Sequence, residues 1–550
     1  MRRLVHLVTY GCQMNERDSE EILGMLTAQG YEVAERPEAA DVILLNTCSV
    51  RQHAEERAYG KMGELSALKR ERPDLILGIV GCMAKLHQEQ VFKRLPHVDL
   101  VAGPAELYDL PYLLAEIQEK RQRVMAVDRP FRPLERKLAG DYRRPGINAF
   151  VTIMEGCDKA CAYCIVPRTR GQEVSRPAEE IIREIDALAA AGYKEITLLG
   201  QNVNSYGKRF PDGSGYRGPL GRLKLLETNP EALLDFPALL RLIDVWVRGL
   251  AGDAEPGPPP PAAEARTVGC RAQRQDPPGV RIRFTTSHPF DATTRLFEAM
   301  RDCPSVCEWL HLPVQSGSNR ILRAMRRGYT VEAYRKKLDT LRRLVPDVSL
   351  FTDIIVGFPG ETDEDFRQTE RLLREMEYDY AYLFKYSPRP GTDAAARDDD
   401  VPQAVKEERH HILLALQEAM SLKRHQALEG QEREILVEEP GRNAGQWFGR
   451  TRGNHGVIVE SREPLRGRTL QVRITRGTAH TLFGEVLAHA ARDGPRRPDG
   501  RGEDRGGGGA GPGIGRGDRL LRLDAGLPPH DGAHPVPDAR PAGAGPAPPR

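Results

Sequence analysis

Three cysteines fall within eight residues, as Cys157-Asp-Lys-Ala-Cys161-Ala-Tyr-Cys164. Three thiolates spaced C-x3-C-x2-C on one loop can wrap one face of a cubane iron–sulfur cluster. No fourth cysteine follows closely, so one iron would lack a protein ligand and could take a substrate or cofactor. The competing accounts are zinc and coincidence; a structural zinc site wants four nitrogen or sulfur ligands and a different spacing. A second trio, Cys12, Cys48 and Cys82, is spread at intervals of 36 and 34 residues. Each follows a short apolar run by a few residues, and in a parallel sheet the carboxyl ends of strands share one edge, where distant cysteines can converge. Three thiolates there could hold another open cluster; three ordinary buried cysteines are the alternative. Cys270, Cys303 and Cys307 lack a third nearby ligand and read as structural or incidental.

The elements that must position these cysteines follow from the apolar pattern. Over 1–126, short runs at 4–9, 42–45 and 75–80 read as buried parallel strands. A helix carrying Ile22, Leu23, Met25 and Leu26 lies between the first two, with Ser19 as its expected cap and Gly30 as its stop. A linker with Pro130, Pro133 and Pro145 follows. From 146 to 390, six candidate strands (149–153, 195–199, 281–285, 309–314, 350–356 and 380–385) alternate with helical stretches. One helix is opened by Ser175 and Pro177 and closed by Gly192. Another starts on a capping box, Thr362 with Asp365. Six β/α units predict an open, partial relative of the parallel β/α barrel, which places its site at strand carboxyl ends. The Cys157 loop follows the first of these strands. One unit is interrupted: between Tyr206 and Val280 only 236–247 reads as helix, and the rest, with the run Pro258 to Pro261, reads as loop or disorder. Five short strands separated by Gly and Pro turns over 421–489 predict a small β-barrel.

Composition narrows the classes. The chain has 550 residues, with 80 Lys+Arg against 78 Asp+Glu, which excludes a histone-like polycation. No run approaches the ~18 apolar residues of a membrane span, and the N-terminus does not read as a secretory signal. An odd number of dispersed cysteines is a poor disulfide framework and points to a reducing cytosol. The near-neutral total hides a basic stretch: 442–476 holds eight Arg and no Lys against Glu460 and Glu463. Arg forks suit phosphate, and Trp447, Phe448 and His455 could stack on unpaired bases; a solvated basic face over an aromatic core is the other account. The segment 494–550, with 15 Gly and 11 Pro in 57 residues, reads as disordered.

The 157–164 loop resembles the signature of the radical S-adenosylmethionine (SAM) superfamily. The resemblance implies that the open iron chelates the amino and carboxylate groups of SAM, whose cleavage gives a 5′-deoxyadenosyl radical. It makes Gly200, Gln201 and Asn202, and Gln315 and Ser316, candidate SAM contacts, with Gly317 and Gly357 as further strand-end glycines. Two open three-cysteine sites, one on an N-terminal α/β domain, resemble the methylthiotransferase family. The strings NTCSVR (46–51), PRTRG (167–171) with SRP (175–177), LGQNVNSY (199–206), FTTSHP (284–289), HLPVQSGSN (311–319) and SPRPGT (387–392) are similar to its MiaB type, which modifies tRNA. The 421–489 barrel resembles a TRAM domain, an RNA-binding module.

The implied protein is α/β. It has a parallel α/β domain (1–126), a partial (β/α)6 radical SAM barrel (143–390, insertion about 211–278), a TRAM-like barrel (421–489) and a tail (490–550). The implied activity is radical SAM methylthiolation of C2 of N6-isopentenyladenosine at position 37 of tRNA. Threonylcarbamoyl-adenosine, a ribosomal-protein aspartate and a non-catalytic iron–sulfur RNA-binding role are the alternatives. Cys157, Cys161 and Cys164 would hold the SAM-cleaving [4Fe-4S] cluster, and Cys12, Cys48 and Cys82 an auxiliary one. Arg450, Arg452, Arg466 and Arg468 would grip RNA, and no catalytic acid or base is assigned. Expected partners are the tRNA anticodon loop, an electron donor such as flavodoxin or ferredoxin, and a sulfur source. The expected setting is a cytoplasmic monomer without a membrane contact.

Overall fold

The computed structural model describes residues 3–49, 52–128, 142–211, 214–215, 234–249 and 279–487. Cys270, most of the insertion, the prolines at 130 and 133 and the Gly/Pro-rich tail lie outside the described residues.

The N-terminal strands are β1 (Arg3–Tyr10), β2 (Tyr31–Val33), β3 (Val42–Thr47), β4 (Ile76–Gly81), β5 (Leu100–Ala102) and β6 (Val124–Ala126). They form one wholly parallel sheet in the order β2-β1-β3-β4-β5-β6. Every residue of β3 and β4 is buried because helices cover both faces. Val42 and Leu44 pack with Ile22 and Leu26 of α1 (Gln13–Ala28), whereas Ile43 and Leu45 pack with Ala58 and Met62 of α2 (Gln52–Glu71). A one-residue register slip would exchange these two sets between the faces. Helices α3 (Cys82–His87), α4 (Glu89–Arg94) and α5 (Leu110–Lys120) complete the layers. The chain leaves β1 in one direction and β3 in the other, so the carboxyl ends of these two strands flank the sheet's topological switch point.

Ser19 is not a helix cap. Helix α1 begins six residues earlier, with Cys12 at the N-cap, and the Ser19 hydroxyl instead bonds Thr9 Oγ1 (2.8 Å) and Asn46 Nδ2 (3.0 Å). The first turns of α1 bury Asn15, Arg17 and Asp18, so the apolar period that marks a helix in sequence starts only at Ile22.

The central barrel strands are β7 (Asn148–Thr152), β10 (Glu195–Leu199), β11 (Arg281–Phe284), β12 (Trp309–His311), β13 (Ser349–Val356) and β14 (Tyr380–Lys385), with β8 (Met154–Glu155) and β9 (Val174–Ser175) forming a separate short antiparallel pair. Two parallel three-stranded sheets, β7-β10-β11 and β12-β13-β14, are joined by a bridge between Ile282 and Val306. There Ile282 N–H donates to Ser305 O (2.8 Å) and Cys307 N–H to Ile282 O (2.9 Å). Among the described residues no pairing closes β14 onto β7, so the barrel is open. β12 stops at His311, short of the expected 314, because Pro313 has no N–H for the ladder. The connecting helices are α6 (Val166–Thr169), α7 (Ala178–Ala190), α8 (Phe236–Gly249), α9 (Thr294–Asp302), α10 (Asn319–Ala324), α11 (Val331–Leu344) and α12 (Asp363–Met376). The Thr362–Asp365 capping box opens α12 as expected, and Thr293, Ser318 and Thr330 cap α9, α10 and α11; such caps contribute about 1 kcal/mol each.

Helix α13 (Gln403–Gln426) leads into β15 (Glu432–Pro440), β16 (Gln446–Thr451), β17 (Gly456–Glu460), β18 (Thr469–Gly477) and β19 (Leu482–Val486). These close into a barrel around Val437, Val457, Val472 and Ile474. This small barrel docks on the amino ends of the central strands. Arg281 reaches Glu434 (2.7 Å), Arg283 donates to the carbonyls of Thr451 and Arg452 (both 2.7 Å), and Ser349 bonds His455 (2.9 Å).

Candidate functional site

The auxiliary trio converges at the switch-point edge of the parallel sheet. Cys12 follows β1, Cys48 follows β3 and Cys82 follows β4. Asn46, at the end of β3, ties two of them: its Nδ2 donates to Asn15 O (2.9 Å), and its Oδ1 accepts from Asn15 Nδ2 (3.0 Å). Asn15 Oδ1 in turn accepts from the Cys12 amide and thiol, both at 3.4 Å. Glycines admit the close approach. A Cβ on Gly11 would lie 2.9 Å from Cys48 Cβ, and Gly81, at φ 92°, would drive one to within 2.9 Å of Thr47 O. The Cys12 thiol is held well below its ordinary value, by the hydrogen bond with Cys48 first and, against burial, by the Arg170 guanidinium. Burial pushes Cys82 up, with Arg170 pulling the other way.

The second trio lies on the loop after β8, at the carboxyl end of the central strands. Cys157 N–H donates to Gly171 O (3.1 Å) and Cys164 N–H to Cys161 O (3.0 Å). Gly156, at φ 73°, leaves no room for a side chain against the Gln172 carbonyl. Burial pushes Cys157 up to about 12 and Cys164 up to about 11. Arg327 Nη1 donates to Cys161 Sγ (3.3 Å), and His288 Nε2 stands 3.9 Å from the same sulfur. Burial, then the nearby Arg327 and Lys159, depress His288 so far that its ring stays neutral.

The donor sets fit iron–sulfur clusters. All eight described cysteines are free. Among the described residues no three of His, Cys, Asp or Glu gather tightly enough for a single metal ion, whereas a cubane spreads its three thiolates over three different irons. Binding would also relieve the buried thiols of the cost of ionising alone, since metal ligation takes the proton off. Cys303 is packed in the core of the central barrel, and Cys307 is buried near Arg283 and Arg452, which join the two barrels. The cavity of about 540 Å³ lined by Glu55, Tyr59, His87 and Arg94 lies on the N-terminal domain and is lined by none of the six cysteines.

The candidate SAM contacts divide by what their polar atoms already do. Gln201 Oε1 accepts the Gly156 N–H (2.5 Å), bracing the cysteine loop. Gly200 is packed against Met154. Asn202 is buried, with Nδ2 on Asp291 (2.7 Å) and Oδ1 without a hydrogen-bond partner. Gln315 sits at φ 74°, its backbone bonded to Asp353 and Ile355 of β13. Ser316 is fully buried, and its hydroxyl bonds Thr369 (3.3 Å) and the Ser318 amide (3.2 Å), so it braces α12 instead of facing a ligand.

Two of the four candidate RNA-binding arginines belong to the interior. Arg450 pairs with Glu438 (2.5 Å) and Glu195 (3.6 Å). Arg452 pairs with Glu308 (2.7 Å) and donates to the Val306 carbonyl (2.8 Å). Burial pushes the Glu195 carboxyl up, yet Arg283, Arg450 and Arg281 hold it below its usual range. These groups join the small barrel to the central one, and most of their donors face protein acceptors, Arg452 Nη1 being buried without one. His455 is likewise no stacking surface: it is buried between Ser349 and His425. Arg466 and Arg468 are exposed, as are Arg442 and Arg462, which line a shallow cavity of about 250 Å³ with Trp447.

Sequence reasoning quoted Arg170 and His288 within longer strings without giving either a role, and it passed over Arg327 and Asp18. A buried arginine beside a cysteine carries no periodic signal.

Three family models match: Uncharacterized protein family UPF0004 over 4–103, the Radical SAM superfamily over 151–373 and the TRAM domain over 426–487. A tRNA-2-methylthio-N(6)-dimethylallyladenosine synthase of Syntrophomonas wolfei subsp. wolfei is 42% identical over 482 residues, covering 88% of this chain and 97% of the relative. The chain belongs to the tRNA-2-methylthio-N(6)-dimethylallyladenosine synthase family. Relatives of the same name from Carboxydothermus hydrogenoformans (42% identical, 88% and 99% covered) and Geobacillus thermodenitrificans (43%, 89% and 84%) agree. Among solved structures, the radical SAM methyltransferase TsrM from Kitasatospora setae, with cobalamin and a [4Fe-4S] cluster bound, is 16% identical with a TM-score of 0.48, covering 72% of this chain and 77% of that one. Family membership makes the protein a radical SAM transferase that works with SAM and [4Fe-4S] clusters.

Proposed function

We propose that this chain methylthiolates C2 of N6-isopentenyladenosine at position 37 of tRNA. The observation that carries the reading is the 42% identity spread over 97% of a relative named for that product. Cys157, Cys161 and Cys164 would hold the cluster that binds SAM, and Cys12, Cys48 and Cys82 the auxiliary cluster. When bound, these groups supply the electron, the 5′-deoxyadenosyl radical, the sulfur and the methyl that the reaction needs. The chain's own residues do the positioning. Gln201 fixes the cysteine loop through Gly156. Asn202 Oδ1 and Asp291 offer polar atoms beside Lys159, whose ammonium pairs with Asp291 at 2.8 Å. Neutral His288 and cationic Arg327 lie against Cys161, which stays half-buried. Arg442, Arg462, Arg466 and Arg468 would meet RNA phosphates, with Trp447 as a base-stacking platform.

The anticodon loop is the expected target because unpaired bases are the part of an RNA that proteins read by sequence. An external one-electron reductant of the flavodoxin or ferredoxin type and a sulfur source would serve the reaction. No helix among the described residues is long and apolar enough to cross a membrane, in keeping with a cytoplasmic setting. The test is mass spectrometry of nucleosides after incubating reconstituted protein, SAM, reductant and isopentenylated tRNA. The 2-methylthio product supports the reading. Its absence, with product from threonylcarbamoylated tRNA or a ribosomal protein instead, replaces it.

A further inference from the structure

One buried ion pair lies where the two cysteine sites meet. Arg170 Nη1 and Nη2 donate to Asp18 Oδ1 (3.3 Å) and Oδ2 (2.5 Å), and the two side chains are 5% and 3% exposed. Asp18 stands on α1, the helix that starts at Cys12. Arg170 comes six residues after Cys164, and the carbonyl of the next residue, Gly171, accepts the Cys157 amide. The helix that ends one residue before Arg170, α6, packs against α3, which begins at Cys82, and the guanidinium pulls the Cys12 and Cys82 thiols down. A charge this far from water is costly unless paired, and Asp18 supplies the pairing. The pair, with Glu155 as a further nearby carboxylate, therefore sits as two opposed charges beside the helices that carry Cys12 and Cys82.

Iron–sulfur potentials respond to net charge and hydrogen bonding around the sulfurs. A cluster gains negative charge when reduced, so a neighbouring buried cation favours the reduced form and a neighbouring carboxylate opposes it. We propose that Arg170 is a positioning residue that sets the reduction potential of the auxiliary cluster upward, with Asp18 as the counter-charge that limits the rise. The inference rests on Cys12, Cys48 and Cys82 being that cluster's ligands.

The experiment is a redox titration of the reconstituted full chain, followed by electron paramagnetic resonance. Adding SAM alters the signal of the cluster it binds and so marks the other signal as auxiliary. The chain carrying Cys12→Ala, Cys48→Ala and Cys82→Ala must lose that other signal; if it persists, the ligand reading and this inference both fall. With the signal so assigned, Arg170→Met should lower its midpoint and Asp18→Asn should raise it, each by at least a tenfold change in the reduction equilibrium, 59 mV for one electron. Arg170→Lys should lie closer to the parent than Arg170→Met. Mere loosening of the site would move the Met and Asn variants in the same direction. Shifts of one sign, or both smaller than tenfold, overturn the inference while leaving the ligand assignment standing. If Arg170→Met does not retain iron, Asp18→Asn decides: a midpoint that fails to rise refutes the charge role.

Discussion

The glycine before the first cysteine of the 157–164 loop gives a test of how that loop is held. Gly156 sits at φ 73°, and a Cβ there would overlap the Gln172 carbonyl, which is backbone and cannot swing aside. Forcing an alanine into the left-handed region costs about 1–3 kcal/mol. Overpacking against fixed atoms adds a similar 1–3 kcal/mol. The combined penalty, about 2–6 kcal/mol, exceeds what the local hydrogen bonds Gly156 N–H to Gln201 and Cys157 N–H to Gly171 contribute, at about 1 kcal/mol each. The loop should therefore leave its place while the barrel stays folded. Gly192→Ala is the control: it has the same backbone sign, at φ 92°, but no atom within 4 Å of the added Cβ. In reconstituted protein, Gly156→Ala should retain about half the parent's iron and form no 5′-deoxyadenosine from SAM. Gly192→Ala should keep full iron and activity with a small drop in melting temperature. Full iron content and normal SAM cleavage in Gly156→Ala would refute the reasoning, since the loop would have absorbed a clash that the structure gives it no room to absorb.

Replacing Arg466, Arg468, Arg442 and Arg462 with Ala should weaken tRNA binding and flatten its salt dependence by up to about one unit per lost phosphate contact. Arg450→Ala with Arg452→Ala should instead lower thermal stability, because it breaks the ion pairs to Glu438 and Glu308 at the seam between the two barrels; each such charged hydrogen-bonded pair contributes about 1–3 kcal/mol. Equal effects of the two sets on stability and on RNA affinity would contradict the division between surface and interior. Alanines at Cys12, Cys48 and Cys82 should leave 5′-deoxyadenosine formation detectable and abolish the methylthio product; normal product yield would remove that trio from the chemistry. Burial, opposed in part by Asp379, holds His455 down at about 4 from 6.5. The unfolded chain then binds the proton first as pH falls, so stability declines from pH 6.5 towards 4. Denaturant titration should show His455→Gln losing about 2 kcal/mol less than the parent between pH 7 and pH 5, the remaining slope coming from His288, His410 and His425, which burial also depresses; an unchanged pH slope in that variant would assign the loss elsewhere.

The strands were legible because their signals are local. The continuous apolar runs of β3 and β4, and the alternation of strands with capped helices from β7 to β14, are read directly from residue type. The six cysteines were legible for different reasons: one trio by its spacing, the other by its recurrence after strands. What the sequence hid is what the fold turns inward. The polar residues Asn15, Arg17 and Asp18 look like a solvated first turn, yet Asn15 is buried on Asn46 of β3, and Arg17 and Asp18 on Glu184 and Arg170 of the central barrel, which is why Ser19 looked like a cap. Arg450 and Arg452 share a basic run with Arg466 and Arg468, and no local pattern separates a cation facing water from one facing Glu195. That difference is set by which barrel edge meets which strand end, a long-range fact.

The docking of the small barrel on the amino ends of the central strands has a geometric consequence. The 157–164 loop lies at the opposite, carboxyl ends. The longest intervening strand, β13, has eight residues, or about 25 Å at ~3.3 Å per residue. A molecule touching both Arg466 and the 157–164 loop would therefore have to span the height of the central strands, up to about that distance. For a substrate that meets both ends, the barrel would act as a caliper, selecting by length as well as by chemistry. A free nucleoside cannot bridge the jaws, and a short hairpin carrying the same modified adenosine could engage one jaw or the other. A stem long enough to span that height could close both at once.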